Sequence, residues 1–183
     1  LTAIEEAYKA GVKVHALCNP HNPLGRLFSK TELETIANLA AKYSVSVISD
    51  EIHAPLVYQP EKFIPFLSEN ENAKNVGFVD TSASKGWNLA GLKSAIIVTA
   101  TSEQNTKLNA MPPAVHFRSS LLGAFAAVVA FSKGESWLNS ALATIESNAN
   151  FLSNQLKSLI PAIKYRVPDC SYLAWLDCTD LKL

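Results

Sequence analysis

The sequence predicts an α/β protein, and three observations carry that prediction. Short β-branched runs alternate with amphipathic helical stretches over the first hundred residues. The second and third of these runs lead straight into polar residues, Asp50 and the Ser-rich turn around Lys85, at the strand end where open α/β sheets place ligand groups. After residue 135 the pattern changes to one long helix and two strand-like runs, which reads as entry into a second, smaller α+β unit.

Taken in order, Ala3 to Ala10 is helix-like and stops at Gly11, and Val12 to Cys18 suits a buried strand. Asn19-Pro20-His21-Asn22-Pro23-Leu24-Gly25 then breaks the backbone repeatedly. Ser29 with Glu32 forms a capping box, and Leu33, Ile36, Ala37 and Ala40 share one helical face up to Tyr43. Ser44 to Ser49 makes the next strand, with Asp50 at its carboxyl edge. Val76 to Thr81 is a strand running into Lys85, and Ser94 to Thr99 is another. Helices follow at Ser102 to Ala110 and Ser120 to Ser132, and Glu135 to Ile160 is one helix stopped by Pro161. Lys164 to Val167 and Tyr172 to Leu176 complete the chain as strands.

Composition narrows the function classes. The 183 residues are 48% hydrophobic, enough for a sizeable core. Lys+Arg 16 balance Asp+Glu 16 with no basic cluster, which argues against nucleic acid as a partner. The longest apolar stretch, Leu121 to Phe131, is about half of the ~20 residues a membrane span needs, and predicts a buried helix. Three cysteines (Cys18, Cys170, Cys178) lack metal-like spacing, Cys18 reads as inert core, and a reducing cytoplasm is the expected home. His21 and His53 have no ligand-spaced partners, so no metal site is expected. The chain begins at Leu1 in a helical register and stops at Leu183 after a strand-like run, so both ends read as cut points in a longer protein.

The chemistry concentrates in three blocks: Asn22-Pro23-Leu24-Gly25-Arg26, Ser49-Asp50-Glu51-Ile52-His53, and Ser82-Ala83-Ser84-Lys85-Gly86. A lysine amine can condense with an aldehyde once desolvation or nearby positive charge lowers its pKa, and small residues around Lys85 leave room for a cofactor. A carboxylate facing a pyridine nitrogen keeps that nitrogen protonated; Asp50 is the candidate, with Glu51 as its neighbour and alternative. Asn22 can donate to a phenolate oxygen, although Asn-Pro is also plain turn chemistry and a site for a cis peptide bond. The glycine-rich cradles of nucleotide enzymes are absent.

In order and spacing, 28 residues from Asn22 to Asp50 and 35 from Asp50 to Lys85, the blocks resemble the class I/II aminotransferase superfamily of fold type I pyridoxal-phosphate enzymes. Asn-Pro-His-Asn-Pro-x-Gly-Arg, Ser-Asp-Glu-Ile-His and Tyr172-Leu173-Ala174-Trp175-Leu176-Asp177 are most similar to the bacterial cystathionine β-lyase, or C–S lyase, branch. The resemblance implies a three-layer α/β/α large domain, partial here at residues 1–135. Residues 136–183 would then be the connecting helix and first strands of a truncated small domain.

The resemblance also implies site roles. Lys85 would form the Schiff base with pyridoxal 5′-phosphate and shuttle protons, Asp50 would pair with the pyridine nitrogen, and Asn22 would bind the phenolate oxygen. Ser82 would bind the phosphate. His53 stands where many aminotransferases have a tyrosine. Lys93 stands where they place a phosphate-binding arginine, and a lysine offers a point charge rather than a planar fork. The ring-stacking aromatic residue and the arginine for the substrate carboxylate lie outside this segment, and Arg26, Arg118 and Arg166 do not match the latter.

The implied activity is a lyase acting on an amino acid with a sulfur leaving group at Cβ. The alternative is an aminotransferase passing an amino group to a 2-oxo acid, and a non-catalytic cofactor-binding fold is the third reading. A homodimer is implied for the full-length protein, and the segment alone is expected to be nearly inactive.

Overall fold

The computed structural model describes residues 1–59 and 62–182, leaving Pro60, Glu61 and Leu183 outside the described residues. Its centre is a four-stranded sheet of β1 (Val14–Cys18), β2 (Ser46–Asp50), β3 (Gly77–Thr81) and β4 (Ile96–Val98), in that spatial order. The first three strands are parallel and β4 is antiparallel to β3. In register, Cys18 lies beside Asp50 and Asp50 beside Asp80, so one row of polar residues crosses the carboxyl edge of the parallel strands.

One face of the sheet is packed. Helices α1 (Thr2–Lys9), α2 (Lys30–Tyr43) and α3 (Glu71–Val76) lie over it. Leu33, Ile36, Ala37 and Ala40 of α2 meet Leu17, Val47 and Val79 from the strands, with Phe66 closing one end. Full burial of Leu33, Ile36 and Phe66 is worth about 2 kcal/mol each. The capping box forms as predicted: the Glu32 N–H donates to Ser29 Oγ at 3.3 Å and the Ser29 N–H to Glu32 Oε2 at 2.8 Å. Arg26 pairs with the other oxygen of Glu32, which ties the end of the 19–26 loop to the start of α2.

The opposite face is open. Val14, Ile48, Phe78 and Ile97 line a cavity of about 440 Å³ that only α5 (Ser102–Asn109) and Met111 partly cover. The alternation is that of a strand buried on both sides, yet Val14 is 55% exposed where Val47 is 0%.

Short α4 (Ala83–Gly86), carrying Lys85, packs Ala83 against Ala127 and Ala130 of α7 (Leu121–Lys133), with Trp87 and Leu89 alongside. The Trp87 Nε1–H donates to Gly134 O at 2.9 Å. α6 (Pro113–His116) is a single turn, and α8 (Glu135–Leu159) is the predicted long helix, set at 80° to α7. No single helix among the described residues is long and apolar enough to cross a membrane.

Three expectations need correction. α7 forms where predicted but is not buried: Leu121, Leu122, Phe125 and Val128 are each 65–73% exposed. Its small residues face inward because the backbones approach closely; a Cβ on Gly123 would stand 2.4 Å from Leu92 O. The two terminal strands shrink to β5 (Lys164–Tyr165) and β6 (Leu176–Asp177), an antiparallel pair. Between them Pro168 has no N–H to offer, and residues 169–171 bond instead to loops near Gly25 and Leu56. Cys18, read as inert core, is half-buried at the end of β1.

Candidate active site

The site is assembled at the carboxyl ends of the parallel strands, where three loops leave the sheet. The first loop follows β1 and carries Asn22. It contains two cis bonds, Asn19-Pro20 and Asn22-Pro23, and Gly25 in the left-handed region at φ 59°. Glycine is required there twice over, since a Cβ would also lie 2.3 Å from Pro168 Cβ and 2.6 Å from Cys170 O. The Asn22 N–H donates to Cys18 Sγ at 3.3 Å and the thiol to Pro20 O at 3.5 Å, so Cys18 braces the loop. Burial pushes that thiol upward, with Asp50 and Asp80 adding to the effect. The Asn22 side chain is exposed.

Asp50 ends β2, half-buried, with Oδ1 accepting the Ile52 N–H at 3.1 Å. Glu51 points the other way, as strand alternation requires, into the packed side at 5% exposure. Burial pushes its carboxyl up to about 7, against hydrogen bonds from the Phe66 N–H, Ser49 Oγ and the Asn19 side chain. His53 follows at 3% exposure, and its Nδ1 has no partner among the described residues. Burial lowers its pKa, the positive charge of Lys85 lowers it further, and Asp50 opposes both. Lys85 and Asp50 are therefore each within electrostatic reach of His53. The ring of Tyr172 stands 6.2 Å from that of His53, a neighbour that no spacing rule could find from 119 residues away.

The third loop follows β3. Ser82 is the N-cap of α4, accepting the Ser84 N–H at 3.0 Å while its hydroxyl lies 2.6 Å from both Ser94 O and Ser84 Oγ. Its proton is directed to Ser94 O, which makes Ser84 the donor in the Ser84–Ser82 pair, so either hydroxyl could donate to a bound anion only by rotating away. Lys85 is half-buried on α4, with no carboxylate within 4.0 Å among the described residues. Lys93 is exposed at φ 53°, on the turn that leads to β4.

The arrangement thus offers a lysine amine, a strand-end carboxylate, an imidazole with an unpartnered Nδ1 and a serine cluster around one edge. Asn19, Cys18 and Tyr172 were not anticipated there. For Cys18, the two-residue alternation that it shares with Ala16 and the facing Asp50 would have put it on the site side.

Comparison with known proteins gives the geometry its context. The family model for aminotransferase class I and II matches residues 1–182. Cystathionine beta-lyase from Corynebacterium glutamicum is 36% identical over 183 residues, covering 100% of this chain and 49% of that protein. Cystathionine beta-lyase PatB from Bacillus subtilis is 36% identical over 171 residues, covering 91% and 43%. The pyridoxal-phosphate-bound C–S lyase from Staphylococcus hominis superposes with a TM-score of 0.84 at 29% identity, over 96% of this chain and 44% of that one. The chain spans about half the length of the curated relatives it matches. With the motif blocks converging on one sheet edge and the family model running almost end to end, the chain belongs to the class I and II aminotransferase family.

Proposed function

We propose that the full-length protein is a pyridoxal-phosphate-dependent C–S lyase, acting on amino acids such as cystathionine that carry sulfur at Cβ. The observation that carries this reading is the gathering of Lys85, Asp50 and His53 at the carboxyl edge of the sheet, with Asn22 on the adjacent loop. The lyase names of the relatives favour it over amino transfer.

The residues present fit the cofactor. Lys85 Nζ has no competing carboxylate within 4.0 Å among the described residues, and Asp50, at the carboxyl end of β2, would supply the counter-charge that a cationic ring nitrogen needs. The Nδ1 of buried His53 has no hydrogen-bond partner among the described residues, which leaves it a group for a ligand to meet. When bound, pyridoxal phosphate supplies an electron sink for the negative charge that forms at the substrate Cα.

In this reading Lys85 Nζ would hold the cofactor's aldehyde and, when free, would take the Cα proton. Asp50 would keep a proton on the ring nitrogen. Asn22 would bind the phenolic oxygen, and Lys93 with the Ser82–Ser84 pair, once their hydroxyls rotate, would hold the phosphate. Over a full cycle the Cβ–S bond breaks, the thiol leaves protonated, and water carries the remainder to pyruvate and ammonia.

The domain division at 135/136 belongs to the same proposal, supported by the change of direction at Gly134. So do a homodimeric full-length enzyme and a reducing, cytoplasmic setting, consistent with free Cys18, Cys170 and Cys178.

The test is to incubate the full-length protein with cystathionine and measure pyruvate and free thiol. Equimolar release is expected, with Lys85→Ala slower by about 10³-fold or more. Amino transfer to a 2-oxo acid without thiol release would establish the aminotransferase alternative. Borohydride reduction should leave a phosphopyridoxyl group on Lys85, and its absence would overturn both.

A further inference from the structure

Glu51 is the one buried carboxylate among the described residues, and the proposed chemistry leaves it idle. Its Oε1 accepts the Phe66 N–H at 2.8 Å and the Ser49 hydroxyl at 3.1 Å. Asn19, 1% exposed, lies close enough to lower the pKa of the Glu51 carboxylate, and its Nδ2 donates to Ile64 O at 3.1 Å. The main chain closes the circuit: the Asn19 N–H donates to Asp50 O and the Glu51 N–H to Asp80 O, both at 2.9 Å.

Three segments meet in this circuit. Asn19 begins the loop that carries Asn22, Glu51 is the residue after Asp50, and residues 64–66 run beneath both. Packing alone does not explain a carboxylate here, since an apolar side chain of similar volume would avoid its desolvation cost. What the carboxylate adds is direction, because a single oxygen receives donors from its own strand and from Phe66, while Asn19, on a third segment, lies beside the group.

We propose that Glu51 is a positioning residue which, through Asn19, fixes the Asn22 loop against Asp50 and so sets the separation of the two groups that grip the cofactor ring. The inference rests on the cofactor reading above. It makes the Glu of Ser49-Asp50-Glu51 a part of the site's frame rather than a substitute for Asp50.

The test uses the full-length protein with Glu51→Ala and Glu51→Gln, the latter retaining an acceptor oxygen for Phe66 and Ser49. The readouts are cofactor affinity by absorbance titration, the pH titration of the Lys85-bound chromophore, kcat and KM for cystathionine, and amide exchange at Asn19 and Phe66 in cofactor-free protein. In Glu51→Ala, cofactor affinity should fall about 10–100-fold, the chromophore titration should shift, and kcat should fall more than KM rises. The two amides should exchange about tenfold faster. Glu51→Gln should restore each to within about threefold.

A folded Glu51→Ala protein with wild-type affinity, chromophore and amide exchange overturns the proposal. Should that variant not fold, Asn19→Ala must reproduce the affinity and chromophore changes, and wild-type values there overturn it equally. If wild-type protein binds no cofactor, the function proposed above fails, while unchanged amide exchange in Glu51→Ala would separately remove the frame.

Discussion

At the residue scale, Glu51 shows how burial turns a side chain into a pH-dependent load. Its carboxyl is raised from an ordinary 4.5 to about 7, so between those values the folded protein holds a proton that the unfolded chain has lost. The contribution to stability is full below about pH 4.5 and disappears as pH rises through 7, a difference of at most about 3 kcal/mol. Asp80, itself raised first by burial and then by Asp50, acts in the same direction; His53, lowered by burial, acts oppositely. Comparing wild-type and Glu51→Gln full-length protein in denaturant melts from pH 5 to 8 isolates the term. The variant should lose less stability over that range, and parallel pH profiles would contradict it. Lys85, Asp50 and Asn22 could be named as candidates because their chemistry sits in short blocks at telling distances. Glu51 was legible only as a residue pointing away from Asp50, because its partners include Phe66, fifteen residues on, and no local pattern announces that bond.

At the scale of elements, periodicity and caps carried most of the information. α2 was readable from end to end because Ser29, Glu32 and the Leu33–Ala40 face all agree, and it forms at Lys30–Tyr43 with those residues buried. Ser29→Ala should cost about 1 kcal/mol, since it frees the Glu32 N–H and abolishes half of the box; a denaturant midpoint in the full-length protein measures it, and an unchanged midpoint would show the cap to be redundant. α7 was readable as a helix but not as to which side it presents. Its sequence is apolar all round, and an all-apolar helix carries no stripe from which to infer an inner face. The terminal strands were overextended for a different reason: β propensity cannot foresee that residues 169–171 spend their hydrogen bonds on distant loops.

At the scale of the whole molecule, the class of the fold followed from alternation, whereas the open sheet face beside Val14 and Ile48 and the bare side of α7 show only in the coordinates. Two segments far apart in sequence, residues 24–58 and 166–171, nevertheless meet. The Asp169 N–H donates to Gly25 O at 2.7 Å, the Tyr58 N–H to Asp169 O and the Ser171 N–H to Leu56 O at 3.0 Å, and Tyr58 Oη to Ser171 O at 2.6 Å. Arg166, paired with Asp169 at 3.2 Å, leans over Leu24 O. Closing a loop of 144 residues between Gly25 and Asp169 costs entropy before any contact repays it, so this seam should form late. In pulse-labelled refolding of the full-length protein, amides of α2 should gain protection before those of Tyr58, Asp169 and Ser171, and simultaneous protection would contradict the order. On the ribosome the same seam sets a schedule. The loop that bears Asn22 has no partner at this seam until Ser171 has left the exit tunnel, so the nascent sheet edge stays unlatched while the roughly 145 residues between them are made, and the candidate site is among the last parts of this chain to take its shape.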